Sequence, residues 1–438
     1  MLDLPGRLLS QSPMTDTPPQ GYYAASAPDA PPRLSLSGRR KADICIIGAG
    51  YTGLSAALEA ASAGAVVVVL EAQTAGFGAS GRNGGQIHTG WRKDQQQLET
   101  WLGAAHARDL WALSEEAKAQ VAALIARHAI ACELKYGLII AAHNSAAARA
   151  LAQDREHLAR FYGYNRLHML SETEAAEEIG TSIYRGARLD SGGGHLQPLL
   201  YVRGLAAAAE SAGAQIFEQS AARRIETMRN GVEVVTDGGS VTADRVLLAT
   251  DAFTGTVAPA LDRFIGHIES FITATAPIPG TIAPKLLPGD AAVADTRHVL
   301  DYYRKSADGR LLFAGREAYF GMPKNIAALV RPRLLRVFPQ LRDVPIEYAW
   351  SGTVGITVTR MPHFGKLSGR IFFGHGYSGQ GVALATLGGK LLAEAALGHE
   401  ERFNVVARVP ARPFPGGPRL RRPLIAAGLF AYKLADAL

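Results

Sequence analysis

Cysteine is nearly absent from this sequence: Cys45 and Cys132 are the two in 438 residues. That excludes a disulfide framework and a cysteine-rich metal or iron–sulfur site. It suits a reducing compartment. Long apolar runs are missing too. No uncharged, continuously apolar stretch reaches the ~18 residues of a membrane span, and the opening "MLDLPGRLLSQSPMTDTPPQ" has no extended apolar core of the signal-peptide kind. A cytoplasmic location is the expectation. Net charge is +7, yet no basic helix, aromatic-interleaved patch or zinc-ligand spacing accompanies it, so nucleic acid is not an expected partner. Part of the excess lies in Arg402, Arg408, Arg412, Arg419, Arg421 and Arg422, which read as a solvated basic tail.

What is present is apolar residue in quantity, 47% by composition. That is enough to fill about two or three domain-sized cores. Residues 1–40 are rich in Pro, Ser and Asp up to about Lys41 and read as a mobile or surface-draped arm. From residue 43 the order is strand, turn, helix, strand: "DICIIG", "YTGLSAALEAASAG", "AVVVVL". Leu54, Ala57, Leu58 and Ala61 fall at helical spacing. The valine run has no alternation, as a strand buried on both faces should. Residues 104–128 predict one long helix, and 145–180 a further helical stretch. Pro198 and Gly213 bracket another helix. Short strands follow, separated by Asn230-Gly231 and Asp237-Gly238-Gly239 turns. Residues 260–350 alternate apolar and polar positions and are rich in aromatics and arginine. Residues 371–397 return to strand, glycine turn and helix.

The predicted fold is α/β plus an antiparallel sheet: a Rossmann-type domain interleaved with a mixed or antiparallel substrate domain. The first domain takes 41–103, 195–258 and 351–400. Helices and a substrate-domain segment take 104–194, the substrate sheet 259–350, and a basic tail with a helix 401–438.

Gly48-Ala49-Gly50-Tyr51-Thr52-Gly53 matches G-x-G-x-x-G. It follows a strand, opens a helix and precedes a second strand that ends at Glu71, eighteen residues past Gly53. That context marks a dinucleotide site. Gly48 permits the tight turn, Gly50 lets backbone approach a pyrophosphate, and Gly53 lets helix and strand pack closely. The helix N-terminus offers N–H groups to phosphate. Glu71 is placed for a ribose diol and disfavours the 2′-phosphate of NADP. A second glycine loop, "GASGRNGG", follows at once. A flavin and its ribityl chain need backbone contacts beyond the first turn, so this loop selects FAD over NAD. Arg82 has two destinations on this reading, phosphate or flavin.

These stretches, with "YVRGLAAAAESAGAQIFEQS", "RKSADGRLLFAG", "RMPHFGKL" and "GHGYSGQGVALATLGGKLLAE", resemble the FAD-dependent oxidoreductases of the D-amino-acid oxidase superfamily. The early "GYYAASA" and the C-terminal "FPGGPRLRRPLIAAGLFAYKLADAL" are most similar to its gamma-glutamylputrescine oxidase branch. The resemblance covers the chain from about Gly21. It implies that Gly48, Gly50, Tyr51, Thr52 and Gly53 hold the pyrophosphate and Glu71 the ribose. Ser80, Gly81, Arg82, Asn83, Gly84, Gly85 and Gln86 would line pyrophosphate and flavin. Ala222 would lie near the adenine, and Thr250 would join the cofactor set. Gly376, Gly379, Gln380, Gly381 and Val382 would meet the pyrimidine edge of the ring, where a helix N-terminus favours developing negative charge. Relatives often carry histidine where Gln380 stands. Some relatives tether FAD through a C-terminal cysteine. No cysteine follows Cys132, so the expected FAD is noncovalent.

The resemblance also implies oxidation of a C–N bond of a small-molecule amine, with oxygen or another electron acceptor. The inserted sheet supplies the candidate pocket: Tyr302, Tyr303, Arg304, Arg316, Tyr319 and Trp350, with His363 beside the ring. Tyr303, Arg316 and His363 are the candidate catalytic residues, and Arg316 or Arg304 can pair with a substrate carboxylate. Two other readings stand beside this one. The scaffold serves a D-amino acid, glycine or sarcosine enzyme, or it is a flavin-binding subunit without turnover.

Overall fold

The computed structural model describes residues 21–417 except 319–322, and not the side chains of 316–318. Two sheets organise it. The first is centred on Gly38–Ile47, flanked in parallel by Val67–Leu70 and Gly239–Leu248, so that Cys45 stands opposite both Val68 and Val246. Gln215–Phe217 and Ile371–His375 extend it in parallel on either side, and His363–Ser368 closes one edge antiparallel. A hairpin, Arg224–Met228 with Gly231–Val235, adds to Gly239–Leu248.

Both faces of this sheet are covered, which explains the unbroken apolar strands. Ile44, Ile46, Val67 and Val69 pack under the helices Tyr51–Ser62, Pro198–Ser211 and Gly381–Ala396. Cys45, Ile47, Val68 and Leu70 form a separate core on the other face. Helix Gly381–Ala396 comes so near Tyr51–Ser62 that a Cβ on Gly389 would stand 2.2 Å from the Thr52 carbonyl.

The second sheet has nine strands among the described residues. Its main path runs Ile346–Ile356, Gly266–Pro277, Arg310–Ala318, Tyr302–Lys305, Ala292–Asp295, Lys135–Ala141, Ala187–His195, Gln86–Ile87, with Leu167–Leu170 paired to Ala187–His195. It is mixed, because Ala292–Asp295 runs parallel to Lys135–Ala141. Helix Ile326–Val337 covers its far face through Val330, Leu334 and Val337. From its near face, Ile272, Ala274, Leu312, Ala314 and Trp350 join the core of the first domain. One continuous apolar core therefore ties the sheets together.

Three segments depart from the sequence expectation. Residues 28–35 run largely exposed over the surface, as expected, but residues 21–23 are buried. Tyr22–Ser26 is a short helix whose two tyrosines are buried, Tyr23 at 2% exposure. The aromatic pair drives this, since Tyr22 packs on Tyr348 and Tyr23 on Trp350. The 145–180 stretch is helix Ser145–Tyr162, a strand, then helix Glu172–Ile179. Gly163 in the left-handed region ends the first helix, and a capping box of Ser171 and Glu174 starts the second. In the C-terminal part, Arg402 is not a solvated charge but pairs with Glu116 and Glu394. Arg419, Arg421 and Arg422 lie outside the described residues. Among the described residues no helix is long and apolar enough to cross a membrane.

Candidate active site

Ligands of parallel α/β sheets sit at the carboxyl ends of the strands, and four segments converge there. The first is the turn after Ile47. Gly48 has φ +105°, and a Cβ there would stand 2.6 Å from the Ala249 carbonyl. A Cβ on Gly53 would stand 1.8 Å from the Gly48 carbonyl. Gly50 faces the second loop instead: its Cβ would meet Ser80 Oγ at 2.8 Å. That hydroxyl accepts from the Tyr51 N–H at 3.0 Å. Glu71 accepts from Ala49 N (2.8 Å) and Gln73 N (2.9 Å). Burial pushes its carboxyl pKa up against those bonds. Each oxygen keeps a lone pair for a further donor.

The second segment is the loop through residues 79–86. Asn83 organises it: Nδ2 donates to Ala79 O, Ser80 O and Tyr51 Oη, and Oδ1 accepts from Gly85 N at 2.8 Å. Gly81 has no room for a Cβ, which would stand 2.3 Å from Gly76 O. The second sheet grips the loop. Trp350 Nε1 donates to Arg82 O, Arg304 Nε to Gly84 O, and Gln86 Nε2 to Val293 O. The Arg82 guanidinium lies 4.3 Å from the Phe77 ring centroid, with the charge of Glu269 acting on it.

Thr250 and Asp251 form the third segment, the turn after Gly239–Leu248. Thr250 Oγ1 bonds Thr254 Oγ1 at 2.9 Å. Asp251, at φ +41°, is half-buried and accepts from Gly376 N (2.7 Å) and Gly355 N (3.2 Å). It ties the first sheet, the second sheet and the turn at Gly376 together. Sequence reasoning missed it. The available signal was its place just past the apolar "VLLAT".

The fourth segment runs from Gly376 and Gly379, both at positive φ, into Gln380 and the helix from Gly381 and Val382. Gln380 caps that helix position without a side-chain cap bond, and its buried Oε1 has no partner among the described residues. Ala222, on the run into the hairpin, is partly buried against the second face of the first sheet.

Three candidate residues are placed differently from expectation. Tyr303 points away from the cleft: its ring stacks on Phe313 in the far core and its hydroxyl bonds Tyr184. Strand alternation puts the neighbouring Tyr302 on the cleft side, against Gly84, where a Cβ would stand 2.7 Å from its ring. Tyr302 Oη bonds Ser270 Oγ at 3.1 Å, beside a small cavity that Gln86, Ile272 and Ala314 also line, with Tyr303 and Arg304 contributing at its wall. His363 is paired with His375 (Nδ1 to Nε2, 2.9 Å) among Phe264 and Phe373, on the sheet face away from the glycine-turn helix. Arg304 is 2% exposed, and its donors reach Gly84 O, Lys305 O and Tyr23 Oη rather than a cleft. Arg316 stands opposite Phe271 in the strand ladder. The Arg316 side chain and all of Tyr319 lie outside the described residues.

The histidine pair carries a pH prediction. Burial lowers His363 to about 4 and His375 well below the ordinary value. The unfolded chain then binds protons that the fold refuses. Stability is intact above pH ~6.5 and falls as pH drops towards ~4, by ~1.4 kcal/mol per pH unit for each such histidine. His363→Gln should flatten that slope by one histidine's share in denaturant unfolding measured from pH 7 to 4. An unchanged slope contradicts the assignment.

The residues present suit an extended dinucleotide. The Gly50, Asn83 and Gly84 N–H groups have no acceptor among the described residues. Two helix N-termini, at Tyr51 and Gly381, face the same end of the sheet, beside the orphaned Gln380. The FAD dependent oxidoreductase family profile matches residues 43–395. The chain is 39% identical over 427 residues to the probable oxidoreductase OrdL of Rhizobium meliloti (strain 1021), spanning 97% of this chain and 99% of that one. It is 39% identical over 419 residues to gamma-glutamylputrescine oxidoreductase of Escherichia coli (strain K12), spanning 95% and 98%. The crystal structure of glycine oxidase from Geobacillus kaustophilus matches with a TM-score of 0.70 at 21% identity, over 82% of this chain and 95% of that one, a likeness of fold. The chain belongs to the FAD dependent oxidoreductase family, and it is an FAD-dependent oxidoreductase.

Proposed function

We propose that the protein oxidises the C–N bond of an amine, gamma-glutamylputrescine or one similar, with oxygen as acceptor. One observation carries this reading: 39% identity to gamma-glutamylputrescine oxidoreductase over almost the full length of both chains. Bound FAD supplies the hydride acceptor. The amine carbon loses its hydrogen with two electrons, and the resulting imine is hydrolysed. With oxygen reduced to peroxide, amine plus oxygen plus water gives aldehyde, ammonia and hydrogen peroxide.

The chain's own part is binding, orientation and dryness. Gly48 to Gly53 and the loop from Ser80 to Gln86 take the pyrophosphate and ribityl side. Glu71 takes the ribose, Ala222 the adenine side, and Thr250 supports the turn. Gly376, Gly379, Gln380, Gly381 and Val382 present a helix N-terminus to the pyrimidine edge. Tyr302, held by Ser270, walls the reacting amine, and apolar surroundings favour the neutral amine. Arg316 is the residue for a substrate carboxylate. Tyr303 and His363 take no part, since their side chains pack elsewhere. FAD is held without a covalent bond, so acid precipitation should release all flavin into the supernatant.

In air-saturated buffer gamma-glutamylputrescine should give aldehyde, ammonia and peroxide in equal amounts. Glycine, sarcosine and D-alanine should give none. Turnover of an amino acid alone overturns the substrate. Turnover of the amine with a quinone but not with oxygen overturns the acceptor.

A further inference from the structure

The second glycine loop is held by its carbonyls. Trp350 Nε1 donates to Arg82 O at 3.0 Å, and Arg304 Nε donates to Gly84 O at 2.9 Å. One residue far upstream touches both donors. The Tyr23 ring meets Trp350 edge-on, with centroids 5.1 Å apart, and its hydroxyl accepts from Arg304 Nη2 at 3.3 Å. Gly21 is pressed on the same indole, where a Cβ would stand 3.0 Å from Cγ. Arg304 forms no ion pair among the described residues, so its buried charge is met by oxygen atoms of Gly84, Lys305 and Tyr23. A buried cation is costly unless its donors are satisfied, which fixes the guanidinium in one place.

Carbonyl direction decides N–H direction. In a trans peptide the Asn83 N–H points opposite to the Arg82 carbonyl. Fixing that carbonyl on Trp350 presents the Asn83 N–H to the other side, where it has no acceptor among the described residues. Gly84 O on Arg304 turns the Gly85 N–H the other way, and it bonds Asn83 Oδ1.

We propose that Tyr23 is a positioning residue for the cofactor. Through Arg304 and Trp350 it holds the Arg82–Gly84 backbone in the orientation that presents the Asn83 N–H to FAD. The segment from Gly21 to Tyr23 is thus a brace for the flavin loop, acting through Arg304 and Trp350. This rests on the loop being an FAD contact.

The test compares two neighbouring tyrosines. Tyr22 Oη donates to Asp308 at 2.6 Å and does not reach the loop. Apoprotein of the parent, Tyr23→Phe, Arg304→Lys and Tyr22→Phe is titrated with FAD, and the visible circular dichroism of each reconstituted protein is recorded. Tyr23→Phe and Arg304→Lys should raise the FAD Kd by ~3–10-fold, the worth of one ordinary hydrogen bond felt through the loop, and should alter the flavin dichroism. Their double variant should fall short of additivity. Tyr22→Phe should lower Tm while leaving Kd within ~2-fold and the dichroism unchanged. Parent-like Kd and dichroism in Tyr23→Phe, or equal shifts in both tyrosine variants, overturn the proposal. Should the parent apoprotein itself bind no FAD, the assignment of the loop as an FAD contact fails, independently of the brace.

Discussion

Gly50→Ala should yield a folded protein that purifies without flavin. Gly50 sits at φ −89°, which alanine adopts freely. Its new methyl would meet Ser80 Oγ at 2.8 Å, the end of a side chain that can rotate away. The fold therefore survives. Flavin binding should not, because the methyl displaces the Ser80 hydroxyl from the Tyr51 N–H and so disturbs the seam between the first turn and the second glycine loop. Losing about two charge-assisted hydrogen bonds costs ~3 kcal/mol, or ~100-fold or more in FAD affinity. Gly53→Ala should behave differently. Its Cβ would stand 1.8 Å from the Gly48 carbonyl, and backbone cannot rotate away. That variant loses ~3 kcal/mol of stability as well as flavin. The flavin-to-protein absorbance ratio and the apoprotein Tm separate the two. Full flavin content in Gly50→Ala contradicts the role of the first turn.

Asp251→Ala carries the second large effect. The substitution leaves the Gly376 and Gly355 N–H groups without their acceptor, at ~1–3 kcal/mol each. It also places alanine at φ +41°, which Asp and Asn tolerate better. Denaturant unfolding should show a loss of ~3–5 kcal/mol. Asp251→Asn keeps one of the two acceptors and the backbone preference, and its loss should be about half of that. If the turn at Gly376 meets FAD as proposed, flavin should dissociate faster from Asp251→Ala. Equal losses in the two variants contradict the role given to the carboxylate.

The first domain was legible because its signals are local. The Gly48–Gly53 spacing, the valine run and Glu71 each state their own geometry, and the helix from Gly381 announces itself by its glycine turn. The second sheet was legible as a sheet, but the orientation of its residues was not. Tyr302 and Tyr303 are adjacent and identical in type, and both faces of the sheet are buried. Alternation says only that they point apart. Packing by helix Ile326–Val337 on one face and by the first domain on the other decides which faces the cleft. His363 was misplaced for a similar reason. Its partner His375 lies twelve residues away, and their pairing depends on an antiparallel edge strand that local pattern does not register. Tyr23 was hidden by its neighbourhood of Pro and Ser, though an aromatic pair in a polar stretch was the available clue. Asp251 reads as a turn residue until Gly355 and Gly376 are brought to it from a hundred or more residues away.

On the proposed function, this cleft takes electrons from an amine. That is tested most directly by mixing the flavin-loaded protein anaerobically with gamma-glutamylputrescine and following the flavin band near ~450 nm. The predicted result is complete bleaching by one equivalent of amine, with colour restored on admitting oxygen. A band that stays oxidised under excess gamma-glutamylputrescine and related amines, in a protein that dithionite bleaches normally, would contradict it.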